Sequence, residues 1–137
     1  MQFAGMNYAG IVAAAAASFI FGGAWYGLFG KSWMAALGKT EEDIKASGTV
    51  MPMVIAVIGL LIMAWVLAGV IGHLGPGQVT VRNGLISGAF CWLGFVATTL
   101  GVNYGFQGAS RSLALIDGGH WLGVLLIQGA VIGLIGV

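Results

Sequence analysis

Residues 52–72 read PMVIAVIGLLIMAWVLAGVIG, a stretch without a charged side chain. A helix rises about 1.5 Å per residue and the hydrocarbon core of a bilayer is about 30 Å thick, so about 20 apolar residues are enough to cross it. The stretch meets that length. It therefore predicts a transmembrane helix.

Three further stretches are long and apolar enough to do the same, and short segments join them. We expect the spans to lie at residues 8–29, 52–72, 83–104 and 113–137. Met1-Gln2-Phe3 offers no basic n-region, so we expect the first stretch to be a retained span and not a signal peptide. The sequence predicts an all-α integral membrane protein, with residues 1–137 forming one antiparallel four-helix bundle.

The composition supports this class. Hydrophobic residues make up 59% of the chain and charged residues 7%, and the mean hydropathy is +1.01. A water-soluble chain would need a mixed-charge surface, which this chain does not have. The expected partners are therefore the lipid bilayer and, within it, either copies of this chain or a larger membrane complex. A net charge of +1 gives no basic surface for nucleic acid.

A more hydrophilic segment, 31–47, follows the first span. Trp33, Met34 and Leu37 recur at helical spacing, as in a short helix lying in the membrane interface. Thr40 precedes three acidic residues, a pattern typical of a helix start with Thr as the N-cap. We expect the first span to end before this segment, at an interfacial aromatic cluster formed by Trp25, Tyr26, Phe29 and Trp33.

Local signals also predict the ends of the second span. Pro52 suits the first turn of a helix, and Thr49 is placed to cap the free N–H groups before it. The run from His73 to Gln78 contains Gly-Pro-Gly and predicts a turn into the third span. The second and third spans should therefore be antiparallel.

Lys and Arg residues are unevenly distributed between the two ends of the expected bundle. Lys31, Lys39, Lys45 and Arg111 lie on the side of the first and third loops, and Arg82 lies on the other side. Because cytoplasmic loops carry the excess of Lys and Arg, we expect both termini to be outside the cytoplasm.

Glycine recurs at four-residue spacing, which can let helix backbones approach closely. The spacing alone does not say which pairs lie at helix contacts. The pairs are Gly23/Gly27, Gly84/Gly88, Gly101/Gly105, Gly119/Gly123 and Gly129/Gly133.

Asp117 and His120 are the most informative polar residues, because ionisable groups in a span are energetically expensive and usually face protein or water. Their spacing of three places them on one helix face, where the carboxyl group could hydrogen-bond the imidazole and set its tautomer. The pair could form a proton relay or contact a polar ligand. The alternative is that both are anchors near the headgroups, with His120 partly solvated.

Other polar residues belong to the same membrane side, so a polar pocket capping the bundle is a candidate site. Taken singly, each could also be an interface anchor. The candidate cluster comprises Asp117, His120, Arg111, Asn103, Lys31, Trp25 and Tyr26, with Tyr104 and Gln107 nearby.

Known catalytic signatures are missing from the sequence. There is no phosphate-binding glycine loop, no His/Cys pair at metal spacing and no serine triad. The single cysteine, Cys91, lies in a run of apolar residues. We expect no catalytic residue, no metal and no cofactor, and hence no enzyme activity.

Two motifs carry a resemblance to a known family. Residues 25–33, WYGLFGKSW, and residues 92–99, WLGFVATT, are followed by Gly119-His120 and a glycine-punctuated last helix. Together they resemble the small bacterial membrane proteins grouped as domain of unknown function 1761, over nearly the whole chain. The resemblance implies a four-span protein of prokaryotic type, hence a bacterial inner membrane, and it implies no activity or ligand.

Three functions are compatible with these patterns. The first is a structural or accessory subunit of a membrane assembly or homo-oligomer, indicated by the small extramembrane surface. The alternative is a small oligomeric transporter or channel that uses the polar site at one membrane face. A membrane enzyme acting on lipid or quinone rests only on the aromatic and polar cluster.

Overall fold

The computed structural model describes residues 6–137, and those residues contain helices and loops but no strand. Met1 to Gly5 lie outside the described residues. The expectation about Met1-Gln2-Phe3 concerns those residues. The helices are α1 (Tyr8–Leu37), α2 (Glu41–Ser47), α3 (Val50–Gly72), α4 (Val81–Cys91), a π-helical segment (Trp92–Ala97), α5 (Thr98–Gln107) and α6 (Arg111–Ile135).

Four helices are long and apolar enough to cross a membrane by length and composition: Tyr8–Leu37, Val50–Gly72, Val81–Gln107 and Arg111–Ile135. We call Val81–Gln107, which comprises α4, the π segment and α5, the third span. Over the described residues, the predicted all-α fold with four helices long and apolar enough to span a membrane is confirmed.

The first helix is longer than the sequence indicated. It runs through the aromatic cluster to Leu37 and ends at Gly38, which adopts a left-handed conformation with φ of 69°. Met34-Ala35-Ala36-Leu37 are good helix formers, and Gly38 is the first residue suited to a left-handed C-cap. The helical spacing of Trp33, Met34 and Leu37 was therefore wrongly assigned to a helix separate from the first span, because residues 31–37 continue α1. The short helix after the first span is Glu41–Ser47.

The start of α2 matches the predicted cap. The Asp43 amide donates to Thr40 Oγ1 at 3.2 Å, and the Thr40 amide donates to Asp43 Oδ2 at 2.8 Å. These two bonds form a capping box, and they hold the pKa of the Asp43 carboxyl group below its usual value, chiefly through the Thr40 backbone N–H. The predicted N-cap role of Thr40 is confirmed.

The second span agrees with the sequence except at its cap. Pro52 lies in the first turn of α3, as predicted, and a turn follows His73. Thr49 occupies the N-cap position but makes no side-chain cap hydrogen bond. Its backbone is helical, with φ of −116° and ψ of −14°, whereas a capping side chain needs an extended backbone. The predicted Thr49 cap was wrong.

Helix α6 is the central element, flanked by α1 on one side and the third span on the other. Both neighbours run antiparallel to it: Gly10 of α1 lies near Gly136, whereas Tyr26 reaches Asp117. Helix α3 packs mainly on α1. The core between these helices is formed by small and branched side chains, including Ala14, Ala64, Ala68, Val124, Leu125 and Ile132.

Glycine pairs set how closely α6 approaches its neighbours. A Cβ atom added at Gly84 would collide with the backbone of Gly129, and one added at Gly129 would collide with the backbone of Gly84. On the opposite side of α6, the rings of Trp25 and Phe21 occupy the space above Gly119 and Gly123. Three of the five sequence pairs thus lie at α6 contacts, namely Gly84/Gly88, Gly119/Gly123 and Gly129/Gly133.

We predict that Gly84→Ala destabilises the protein by about 1–3 kcal/mol, because the new methyl group must push two backbones apart. Gly27→Ala is the matched control, since nothing lies within 4 Å of a Cβ there. It should be neutral or stabilising by up to about 1 kcal/mol through helix propensity. Reversible unfolding in mixed micelles measures both, and equal stabilities for the two variants would contradict the close crossing.

Candidate functional site

Asp117 lies in the second turn of α6, about 9 Å along the helix from Arg111. Its two carboxyl oxygens accept hydrogen bonds from two tyrosines: Tyr26 of α1 donates to Oδ1 and Tyr104 of α5 donates to Oδ2, both at 2.6 Å. The helices on both sides of α6 therefore meet at one side chain. The two hydroxyl groups offset the free-energy cost of placing a carboxyl group among apolar helices.

Two tryptophans hold the backbone on either side of Asp117. Trp25 Nε1 donates to the Ile116 carbonyl oxygen at 3.0 Å, and Trp92 Nε1 donates to the Gly118 carbonyl oxygen at 2.8 Å. Each flanking span thus contributes one Trp and one Tyr. We call Trp25, Tyr26, Trp92, Tyr104 and Asp117 the Asp117 cluster.

The third span changes its helical geometry next to this cluster. Trp92 begins the π-helical segment, in which each backbone hydrogen bond spans five residues and not the four of an α-helix. Thr98 Oγ1 donates to the Gly94 carbonyl oxygen at 2.8 Å, and Thr99 Oγ1 donates to that of Phe95 at 2.7 Å. Both hydroxyl groups bond back to carbonyl oxygens one turn earlier in their own helix, a contact that often accompanies a local bend.

His120 lies one turn further along α6 and is 8% exposed. Its ring is surrounded by Phe21, parallel at a centroid distance of 6.1 Å, by Tyr26 at 4.9 Å and by Trp121 at 4.7 Å. Nδ1 is buried and has no hydrogen-bond partner among the described residues. The Asp117–His120 hydrogen bond that the spacing allowed is not formed, because the carboxyl group is bonded to the two tyrosines. The alternative of a partly solvated His120 does not hold either, because the residue is buried.

A second polar contact joins three spans deeper in the bundle. Gln128 Nε2 donates to Ser18 Oγ at 3.0 Å and to the Leu60 carbonyl oxygen at 3.1 Å, and Gln128 and Ser18 are both fully buried. Sequence reasoning missed this contact. The sequence did contain a signal for it: Gln128 is an amide side chain in the middle of an apolar span, and such side chains often form hydrogen bonds between helices.

The structure brings together four of the seven predicted site residues: Trp25, Tyr26, Asp117 and His120. Trp25 and Tyr26 donate hydrogen bonds to α6, and α1 continues past them to Leu37. Sequence reasoning placed Tyr104 only near the site and gave Trp92 no role in it. The remaining three residues are exposed and take no part in the cluster's hydrogen bonds: Lys31, Asn103 and Arg111.

A cavity of about 520 Å³ opens beside His120, between α1, α3 and α6. Gly22 and Tyr26 line it on the α1 side, and Ala56 and Gly59 on the α3 side. Across residues 6–137, no three His, Cys, Asp or Glu side chains are grouped so that they could hold a metal ion. Most of the lining residues are apolar, among them Phe19, Met53, Ile55 and Leu60, so the cavity is suited to a largely apolar molecule.

A family model described as "Protein of unknown function (DUF1761)" matches residues 9–133. This chain belongs to the DUF1761 family. The matched region includes the whole Asp117 cluster, His120 and Gln128. The resemblance inferred from the two sequence motifs is confirmed. No match was found among curated proteins or among solved structures.

We predict that Tyr26→Phe and Tyr104→Phe each destabilise this DUF1761 protein by about 0.5–2 kcal/mol, as expected for interhelical hydrogen bonds in membranes. Asp117→Leu provides the background for double-mutant cycles, because it removes the common acceptor. In that background each tyrosine substitution should have a much smaller effect. Undiminished effects would show that the hydroxyl groups do not act through Asp117.

Proposed function

We propose that this DUF1761 protein is a structural or accessory subunit of a bacterial inner-membrane assembly, formed with its own copies or with a larger partner. Both termini would lie on the non-cytoplasmic side, in keeping with the Lys and Arg residues near the first and third loops. The proposed role is non-enzymatic, in keeping with a carboxyl group, Asp117, whose two oxygens are both engaged in hydrogen bonds between helices.

The interior polar groups support a structural role. The Asp117 cluster joins α1, α5, α6 and the π segment, and Gln128 joins α1, α3 and α6. Interhelical hydrogen bonds of this kind stabilise one arrangement of helices. A bundle held in this way offers a fixed outer surface to other subunits.

The observation that carries the proposal is an uncovered glycine pair on the third span. Gly101 and Gly105 of α5 are exposed, and nothing lies within 4 Å of a Cβ at either position. Val102 is 57% exposed and Phe106 91% exposed beside them. Glycines at this spacing let a second helix approach closely, and the same spacing is used within the bundle at Gly84 and Gly88. The α5 surface is thus suited to another subunit.

The test is native mass spectrometry of the protein released gently from its own membrane. We expect a homo-oligomer or a stoichiometric larger partner. The double variant Gly101→Leu/Gly105→Leu should lose that association, because two leucines keep the second helix away. Gly30→Leu is the matched control: it adds the same side chain to a helical glycine with nothing within 4 Å and no second glycine four residues away, and it should keep the association.

A stable monomer of the unmodified protein would contradict the assembly proposal. Association that survives the double α5 variant would instead contradict the assignment of the surface. Unfolding measurements accompany both variants. Nothing lies within 4 Å of a Cβ at Gly101 or Gly105, so their replacement should leave the stability of the isolated protein nearly unchanged.

A second candidate function is a small oligomeric transporter or channel. It is favoured by Asp117 and His120, which place a carboxyl group and an imidazole within two turns of α6. If the pair carries protons or a polar solute, Asp117→Asn and His120→Ala should each reduce flux into liposomes at least tenfold. Unchanged flux in both variants would remove these residues from any transport mechanism.

A further inference from the structure

The cavity beside His120 opens at the surface of the bundle between α1 and α3. Three residues that line it are exposed there: Phe19 is 38% exposed, Met53 is 52% exposed and Ile55 is 62% exposed. These side chains lie on membrane-spanning helices, so the opening faces the surroundings of the bundle at the level of the spans. A molecule dissolved in the lipid phase has access to it.

His120 lines the cavity, and its ring makes no hydrogen bond within the described part of the protein. Neither the cluster nor the Gln128 contact uses it, and its Nδ1 atom is unpaired while the residue is more than nine-tenths buried. An unpaired buried polar atom costs about 1–3 kcal/mol, and native proteins retain few of them. Nδ1 is enclosed by protein, so a ligand in the cavity can reach the ring only at the other nitrogen, Nε2, where a hydrogen bond would offset part of the cost of burying the imidazole.

Gly22 keeps space open next to the other ring nitrogen. A Cβ at Gly22 would lie 3.0 Å from His120 Nε2, and both residues line the cavity. Any larger residue would take the position from which a ligand atom can reach Nε2. The glycine therefore provides access to the imidazole as well as close packing.

Two other polar side chains of the lining have their hydroxyl hydrogens engaged elsewhere. Tyr26 donates to Asp117, and Ser18 donates to the Ala15 carbonyl oxygen at 3.0 Å while accepting from Gln128. The wall is otherwise largely apolar and partly aromatic, with Phe19 and Trp121 among its residues. A ligand that fits has a flat apolar body and one hydrogen-bonding group aimed at His120.

We propose that this cavity binds a lipid-soluble ring compound bearing a carbonyl or hydroxyl group, as in the headgroup of a quinone, with that group hydrogen-bonded to His120. A neutral imidazole offers one N–H donor and one acceptor nitrogen, so it can pair with either group. The volume of about 520 Å³ lies within the range of small-molecule sites. The site needs only α1, α3 and α6, and it does not depend on the assembly proposed for the α5 surface.

Histidine ring NMR tests the site directly, because the chain has two histidines and the second is an internal reference. His73 is exposed and its Nδ1 lies 2.8 Å from the Gly69 carbonyl oxygen. The protein is labelled with ¹⁵N-histidine, placed in lipid nanodiscs and titrated with decylubiquinone as the probe. We expect the His120 ring signals to shift and saturate, while the His73 signals stay in place.

Three variants separate binding from simple partition into lipid. Gly22→Leu should abolish saturable binding, measured by calorimetry, because it fills the space beside Nε2. Gly27→Leu adds the same side chain on α1 outside the cavity and should bind as the unmodified protein does. His120→Phe keeps a ring but no hydrogen-bonding group, and its affinity should fall about tenfold.

If Gly22→Leu fails to fold, Ala56→Leu fills the cavity from the α3 side and should also abolish binding. Shifts of both histidines that grow in proportion to the probe without saturation would overturn the proposal, since they would report partition alone. Equal affinities of the unmodified protein and the Gly22→Leu or Ala56→Leu variant, each shown to be folded, would also overturn it.

Discussion

A carboxyl group within an apolar bundle has to find hydrogen-bond donors, and in this protein that requirement joins both neighbours of α6 at one residue. Asp117 takes one tyrosine hydroxyl from α1 and one from α5. The indoles of Trp25 and Trp92 hold the adjoining backbone carbonyls. Losing this arrangement would leave five polar groups to be satisfied by lipid, which offers almost no partners.

The glycine contacts make these bonds possible by bringing the backbones close. Gly84 and Gly129 let the third span lie directly on α6, and Gly119 receives the ring of Trp25 from the other side. Side chains of ordinary length then reach across the contacts. Dispersion and interhelical hydrogen bonds act together, as expected where burial from water contributes little between helices in lipid. The helices are held firmly along α6, while the gap between α1 and α3 remains open beside His120.

Sequence alone predicted the elements that depend on local patterns. Apolar length identified four spans, and Thr40 identified the start of α2. Prediction from the sequence failed where the outcome depends on which helices are neighbours. Trp25 and Tyr26 fit an interfacial belt as well as they fit hydrogen bonding to another helix, and the spacing of Asp117 and His120 suggested a bond within one helix. Glycine spacing likewise could not separate pairs used inside the bundle from Gly101/Gly105 on its surface. Hydrophobic periodicity does not distinguish a π segment from an α-helix. The sequence shows Gln128 as an amide among apolar residues but does not show which helices it joins.

Solid-state NMR of the protein in lipid tests the central contact most directly, because the sequence has two aspartates, Asp43 and Asp117, and three tyrosines. With ¹³C in the Asp Cγ and Tyr Cζ positions, carbons joined through a hydrogen bond lie within about 4 Å. We predict cross-peaks from Asp117 Cγ to two tyrosines. One should be lost in Tyr26→Phe and the other in Tyr104→Phe. An Asp117 signal without a tyrosine cross-peak would contradict this prediction.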